Sequence, residues 1–139
     1  MVLVDTSAWI EFFRQDGDPA VKLAMKALIE ALEATLCGPV EMEFLGGARL
    51  HERPRIQARL DILPYLGFDQ KIWRMAASHY AALRLKGVTL PWNDILIATL
   101  ALSAGYRVYA VDNHFETMAE HLDLRLYTPG YNGCYRPDS

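Results

Sequence analysis

Short apolar segments alternate with longer amphipathic stretches, and this pattern constrains the fold of the chain more than any other feature. Residues 2–4 read Val-Leu-Val and end at Asp5, and residues 107–111 form another such segment that ends at Asp112. Continuous apolar runs are typical of parallel strands, because helices cover both faces of such a sheet. No tight hairpin signal separates the segments. The sequence therefore predicts an α/β fold with three layers, α/β/α, around a mainly parallel central sheet.

Helix and turn signals supply the remaining element boundaries. Apolar residues recur at spacings of three and four, and Asp, Pro and Gly stand at the expected starts and stops. The predicted helices are 6–13, 19–34, 41–50, 54–63, 69–86, 91–104 and a short turn at 115–120. Further strands are predicted at 35–39 and, at the sheet edge, at 124–127. These elements predict one domain over residues 1–127, followed by an irregular C-terminal tail, 128–139, that contains two Gly and two Pro.

Composition narrows the class of protein. The chain has 139 residues, of which 52% are hydrophobic and 22% charged, so it can bury a core as one domain. The formal net charge of -3 argues against nucleic-acid binding by bulk positive charge. No apolar run is long enough to span a bilayer, and the N-terminus lacks the features of a signal peptide. With only two cysteines, we expect a reduced, cytoplasmic protein that does not contact membranes.

Four acids have related positions in the predicted fold. Asp5 and Asp112 close strands, while Glu43 and Asp94 are expected in the first turns of helices. Each acid alone has an ordinary interpretation as a helix cap or as a partner of the helix dipole. Together, the four positions lie on one edge of a parallel sheet. Two carboxylates at ~4 Å repel by about 4 kcal/mol at an effective dielectric constant of 20, so such a group calls for a cation.

The expected cation follows from the ligand type. Carboxylate oxygens suit Mg²⁺ or Mn²⁺. Such an ion can polarise a phosphodiester and activate a water for in-line attack. The residues alone thus predict a metal-competent acid cluster and leave its substrate open.

Three segments resemble the motifs of PIN domain nucleases, and within them the small VapC-type toxins. They are VLVDTSAWIEFF (2–13), VEMEFLGGARL (40–50) and GVTLPWNDILIATLALSAGYRVYAVDNHF (87–115). The resemblance covers residues 1 to about 127. It implies a PIN-like nuclease fold and an endoribonuclease, the toxin of a type II toxin–antitoxin pair, that cleaves RNA with a metal-activated water. It also implies Mg²⁺ or Mn²⁺ as cofactor, RNA as substrate, an antitoxin protein as partner, and a homodimer.

The same resemblance assigns the site residues. Asp5, Glu43, Asp94 and Asp112 become the metal-binding and catalytic acids, with Glu43 chosen over the nearby Glu41. The hydroxyl residues that follow the first acid are weaker candidates, since they can equally cap the first helix: Thr6 and Ser7.

Two departures from the family pattern keep alternatives open. Many members carry Thr or Ser two residues before the fourth acid, where this chain has Ala110, and a further Asp two residues after it, where this chain has His114. A lone His is more often a structural hydrogen-bond donor than a catalytic group. One alternative is a PIN-like binding module with weak catalysis. Another is a different metal-dependent phosphoryl-transfer domain, which Ser7 disfavours because such phosphatases carry Asp-x-Asp after the first strand.

Other residues allow two interpretations each. Arg14, Arg49 and Lys86 are either phosphate contacts or solvated surface charges. Trp92 either stacks on an unpaired base or packs on the sheet edge, and we favour packing. The aromatic cluster of the first helix is either core or a partner surface, since the resemblance places an antitoxin helix beside it: Trp9, Phe12 and Phe13.

Overall fold

A parallel sheet forms the centre of the computed structural model, which describes residues 1–138. Its strands are β1 (Val2–Val4), β2 (Ala34–Cys37), β3 (Tyr65–Leu66) and β4 (Arg107–Tyr109). They pair in the order β3-β2-β1-β4, and every pairing is parallel. All three residues of β1 are fully buried, so helices must cover both faces of the sheet. The predicted parallel α/β fold is confirmed.

Seven α-helices within residues 1–138 connect and cover the strands. They are α1 (Thr6–Phe13), α2 (Pro19–Glu30), α3 (Gly38–Gly47), α4 (Arg53–Leu60), α5 (Gln70–Leu85), α6 (Trp92–Ala104) and α7 (His114–His121). Two short 3₁₀ turns lie at Leu50–Glu52 and Tyr131–Gly133. The predicted cap of α5 is confirmed, because the Asp69 carboxylate accepts a hydrogen bond from the backbone N–H of Ile72 at 2.9 Å. None of these helices has the length and apolar character needed to cross a membrane.

Several predicted boundaries are wrong, each for a local reason. The helix predicted at 19–34 ends at Glu30, because Leu32 adopts a left-handed conformation (φ 59°) and Ala34 already begins β2. The helix predicted at 54–63 ends at Leu60, and the chain then forms β3, which the sequence analysis missed. The strand predicted at 35–39 ends at Cys37, since α3 starts with Gly38.

The segment predicted as an edge strand, 124–127, forms only one parallel bridge, between Val108 and Leu126. It lies beside β4, which itself ends at Tyr109 rather than at residue 111. The two residues after Tyr109 leave the sheet and begin the loop that carries Asp112.

The C-terminal segment, 128–138, contains one 3₁₀ turn and packs on the rest of the domain. The guanidinium of buried Arg107 donates a hydrogen bond to the carbonyl oxygen of Arg136 at 2.9 Å. The ring of Tyr135 stacks on that of Tyr127, with centroids 6.2 Å apart. Gly133 has a positive φ of 78°, and a Cβ there would lie 2.8 Å from the backbone nitrogen of Ala24 in α2. Glycine is therefore required where the tail meets α2.

The two cysteines are free and differ in environment, which gives a first prediction. Cys37 is fully buried, and burial raises the pKa of its thiol to about 12. Cys134 is exposed. We expect Ellman's reagent at pH 8 to modify one thiol rapidly in the native protein and the second only after unfolding in guanidinium. Cys134→Ser should remove the rapid phase; two rapid thiols in the wild-type protein would contradict the placement of Cys37.

Candidate metal centre

The four predicted acids gather where the strands end. Asp5 directly follows β1 and Asp112 lies in the loop after β4, while Asp94 lies in the first turn of α6. Glu43 does not lie in a first turn, as the sequence analysis expected. Because α3 begins at Gly38, its first turn contains Glu41 and the second contains Glu43. Dipole complementation at the helix start therefore does not explain Glu43.

Asp5 is the most deeply enclosed of these carboxylates, with 2% of its surface exposed. Its Oδ2 accepts hydrogen bonds from the backbone N–H and the hydroxyl of Ser7, at 3.1 and 2.6 Å. Its Oδ1 is buried and has no hydrogen-bond partner within residues 1–138. Burial raises the pKa of Asp5 to about 6, with a further contribution from the charges of Asp112 and Asp94, and the Ser7 hydrogen bonds oppose this rise. Asp5 is thus both the cap of α1 and a carboxylate with one unsatisfied oxygen.

Asp94, Asp112 and His114 form the tightest part of the site. One ligand atom from each lies within 4.8 Å of the other two. His114 Nδ1 is 2.6 Å from Asp94 Oδ2 and 4.0 Å from Asp112 Oδ1. Asp94 is 5% exposed, and its pKa is raised chiefly by burial and further by the charges of Asp112 and Glu43, while the hydrogen bond with His114 lowers it.

Glu43 and Asp5 lie outside that tight group but border it. Glu43 is exposed, and its Oε2 accepts a hydrogen bond from Nδ2 of Asn93 at 2.7 Å. Asn93 is the second residue of α6 and does not cap it, since the N-cap position belongs to Pro91. Asn93 instead ties α6 to α3 and orients Glu43, a role that its position beside Asp94 did not reveal.

Ser7 and Thr6 differ in what their hydroxyls do. Ser7 Oγ donates to Asp5 and also accepts from the backbone N–H of Val111 at 2.9 Å. This hydroxyl links the end of β1 to the loop that carries Asp112. The Thr6 hydroxyl is buried and has no partner within residues 1–138.

The residues present fit a divalent cation. The unsatisfied buried Oδ1 of Asp5 and the mutual repulsion of three acids leave a negative charge that the described side chains do not balance. The donor set is carboxylate oxygen with one imidazole nitrogen. Carboxylate oxygens suit Mg²⁺, Mn²⁺ and related ions. The acid cluster is therefore compatible with a metal site, and His114 belongs to it, which the sequence analysis did not predict.

The link through Ser7 predicts a measurable effect. In Ser7→Ala, Asp5 loses one of its hydrogen bonds and the loop at Val111 loses its acceptor. Groups that orient a ligand typically contribute about 10–100-fold, so we expect the affinity for Mn²⁺, measured by calorimetry, to fall by about tenfold. Ser78→Ala is the matched control, because its hydroxyl bonds only to its own helix, at the carbonyl of Arg74. Equal affinities in the two variants would contradict a role for Ser7.

Two cavities adjoin the helices that carry Glu43 and Asp94. A groove of about 800 Å³ runs beside α1 and α3, with Thr6 and Glu43 in its wall. Its lining contains two of the arginines considered as phosphate contacts, Arg14 and Arg49, together with Arg55; Lys86 is not part of it. Of the α1 aromatics, Trp9 is core and Phe13 lines this groove.

The prediction that Trp92 packs on the sheet edge is wrong. This side chain is 73% exposed and does not pack on the sheet edge. It borders an apolar cavity of about 210 Å³ between α5 and α6, opposite Trp73 and Tyr80. The sequence could not reveal this, since an aromatic residue at a helix start suits a core as well as a surface.

Comparisons with known proteins agree with this geometry. The PIN domain family model matches residues 2–121. Ribonuclease VapC11 of Mycobacterium tuberculosis is 39% identical over 129 residues, which cover 90% of this chain and 96% of the relative. VapC ribonuclease Mb1587 of Mycobacterium bovis has the same identity and coverage.

Solved structures show the same fold at lower identity. FitAcB from Neisseria gonorrhoeae has a TM-score of 0.75 at 21% identity, covering 92% of this chain and 97% of that chain. A toxin–antitoxin complex from Klebsiella pneumoniae has a TM-score of 0.64 at 19% identity, covering 82% and 88%. The family model match over residues 2–121 and the 39% identity to VapC11 show that the chain belongs to the PIN domain family, among the VapC ribonucleases.

Proposed function

We propose that this protein is a divalent-metal-dependent endoribonuclease and the toxin of a type II toxin–antitoxin pair. The observation that carries the proposal is the buried, unpaired Oδ1 of Asp5 beside the carboxylates of Asp94 and Asp112. Such a group is costly for a fold unless a cation binds there. The VapC relatives at 39% identity are ribonucleases, which supports RNA as the substrate.

The site acids have distinct parts in this mechanism. Asp94 and Asp112 would hold Mg²⁺ or Mn²⁺. Asp5 and Glu43 would add negative charge beside the ion. A bound ion of this kind supplies the charge that lowers the pKa of a coordinated water and stabilises negative charge on the phosphate. Asp5 stays fixed because Ser7 donates two hydrogen bonds to it. Asn93 holds the exposed carboxylate of Glu43 toward the groove.

The groove beside α1 and α3 is the proposed path of the RNA. Its arginines offer positive charge next to Glu43 and Thr6, although the protein as a whole has a net charge of -3. Four of the 17 acids are proposed site acids, so the rest of the surface is close to neutral. Arginine is suited to backbone phosphates. We therefore propose that RNA binding depends on these local charges and on the bound ion.

Partners and location follow from the same family. We propose that an antitoxin protein docks at this groove, whose apolar lining includes Ile10, Phe13 and Ile56. The Klebsiella pneumoniae complex of the same fold contains such a pair.

We also propose a homodimer, for which exposed Trp73 and Trp92 provide apolar surface. A cytoplasmic location accords with the two free thiols.

The function is tested by cleavage of a labelled RNA pool by purified protein. We expect cleavage with Mn²⁺ or Mg²⁺, none with EDTA, and recovery when excess Mn²⁺ is restored. Asp5→Asn should abolish cleavage, whereas Asp123→Asn, which removes an exposed acid outside both the groove and the acid cluster, should cleave normally. Cleavage that persists in EDTA contradicts a metal-dependent enzyme. Metal binding without any cleavage favours the binding-module alternative.

A further inference from the structure

We propose that His114 is a direct metal ligand, through Nδ1, and that it gives this centre a preference for Mn²⁺ over Mg²⁺. The proposal rests on the proposed function only in assuming that the acid cluster binds a divalent ion. It goes beyond that function in naming a nitrogen ligand and the ion that this ligand selects.

The backbone fixes where the imidazole lies. His114 is the first residue of α7, and its backbone N–H donates to Asp112 Oδ1 at 3.0 Å. This short turn places the ring between the two carboxylates, with Nδ1 at 2.6 Å from Asp94 and 4.0 Å from Asp112. The ring is 41% exposed, so water and ions can reach it. Nδ1 is therefore the ring nitrogen that faces the acids.

Nδ1 can either hydrogen-bond to Asp94 or coordinate an ion, but it cannot do both at once. Without an ion, Nδ1 and Oδ2 of Asp94 share a hydrogen bond at 2.6 Å. With an ion, Nδ1 must offer its lone pair, and the ring becomes the neutral tautomer with its proton on Nε2. Within residues 1–138, Asp94 is the one side chain that hydrogen-bonds to this ring, so Nε2 is available to carry the proton.

A nitrogen ligand changes which ion is preferred. Mg²⁺ binds oxygen almost exclusively and demands a near-ideal octahedron, usually keeping several waters. Imidazole suits the later first-row transition ions best, and Mn²⁺, which opens that series, accepts a nitrogen ligand more readily than Mg²⁺ does. A site with two carboxylates and one imidazole therefore favours Mn²⁺ relative to a site made of carboxylates alone. The group of Asp94, Asp112 and His114, found among residues 1–138, has that mixed composition.

Pulsed electron paramagnetic resonance on the Mn²⁺-loaded full-length protein tests the ligand directly, without RNA. We expect modulation from a directly bound ¹⁴N nucleus in the wild-type spectrum and its loss in His114→Asn. The matched control is His121→Asn, which removes a histidine from the other end of α7 and should keep the signal. Absence of nitrogen coupling in the wild type, or its persistence in His114→Asn, overturns the proposal.

Calorimetry with MnCl₂ and MgCl₂ tests the selectivity. His114→Asp keeps a ligand at the position but replaces nitrogen with oxygen. The ratio of the Mg²⁺ to the Mn²⁺ dissociation constant should be about tenfold lower in this variant than in the wild type. Mutation of groups around a bound metal changes its affinity by about 10–100-fold, so an effect of this size is reasonable. If the ratio of the two dissociation constants is the same in His114→Asp and the wild type, His114 does not set the preference for Mn²⁺.

These outcomes are separable from those of the cleavage assay. If the protein binds Mn²⁺ with nitrogen coupling but cleaves no RNA, the proposed function fails and the ligand assignment stands. If it cleaves RNA but shows no nitrogen coupling, the function stands and His114 is only a hydrogen-bond donor to Asp94.

Discussion

Replacing Asp94 by Asn should reduce RNA cleavage by roughly 100-fold or more, an effect of the size expected when a group that stabilises transition-state charge is removed. The variant keeps the shape of the side chain and an oxygen that can accept the hydrogen bond from His114. It removes the charge that would hold the ion. The measurement is the initial rate of cleavage with saturating Mn²⁺.

The same substitution should stabilise the metal-free protein. The pKa of Asp94 is raised above its ordinary 3.8, chiefly by burial, so the folded state disfavours the charged form. That cost is present at neutral pH and absent below about 3.8, where the carboxyl group is protonated in both states. We expect the free energy of unfolding at pH 7 in EDTA to rise, and this gain to fade as the pH falls toward 4.

A matched control separates charge from fold. Asp123→Asn removes an exposed acid that is not among the predicted site residues and should change neither cleavage nor the pH dependence of stability. Asp94→Asn with wild-type cleavage would contradict the site assignment. Lower stability in EDTA would contradict the account of the acids as mutually repelling.

Removing the C-terminal tail should have the largest effect on stability. A chain that ends at Thr128 loses the carbonyl acceptor for the Arg107 guanidinium, the Tyr135 ring that stacks on Tyr127, and the segment packed on α2. A buried charged group left without its partner costs about 1–3 kcal/mol or more. We therefore expect urea unfolding to report a loss of about 3 kcal/mol for the shortened chain.

Point substitutions keep this prediction testable if the shortened chain does not fold. Tyr135→Ala should lose about 1 kcal/mol, the scale of one aromatic pair. Tyr131→Ala, at a side chain that is 85% exposed, should leave stability unchanged. If Tyr135→Ala and Tyr131→Ala unfold at the same urea concentration, the tail does not stabilise the domain.

The sequence was sufficient to place the acids at one edge because a parallel sheet has a strong local signature. The apolar runs before Asp5 and Asp112 define strands, and helices must connect parallel strands, so Asp94 returns to the same edge. The position of Glu43 depended on a helix start that Gly38 and Pro39 shift by about one turn. Element boundaries of this kind depend on backbone conformation more than on composition.

The features that were missed depend on contacts between distant segments. β3 has two residues, too few to show a period, and exists because β2 offers it hydrogen bonds. The pairing of Asn93 with Glu43 joins residues 50 positions apart. His114 enters the site because α7 begins immediately after the loop of Asp112, which brings the ring to Asp94. No spacing in the sequence reports these contacts.

The central claim is that this acid edge hydrolyses RNA with water as the nucleophile. The most direct test is cleavage with Mn²⁺ in ¹⁸O-labelled water, followed by mass spectrometry of the RNA ends. The account predicts one ¹⁸O atom in each new terminal phosphate and cleavage even where the scissile nucleotide lacks its 2′-hydroxyl. A 2′,3′-cyclic phosphate without ¹⁸O would contradict it, because the nucleophile would then be the RNA's own hydroxyl rather than water.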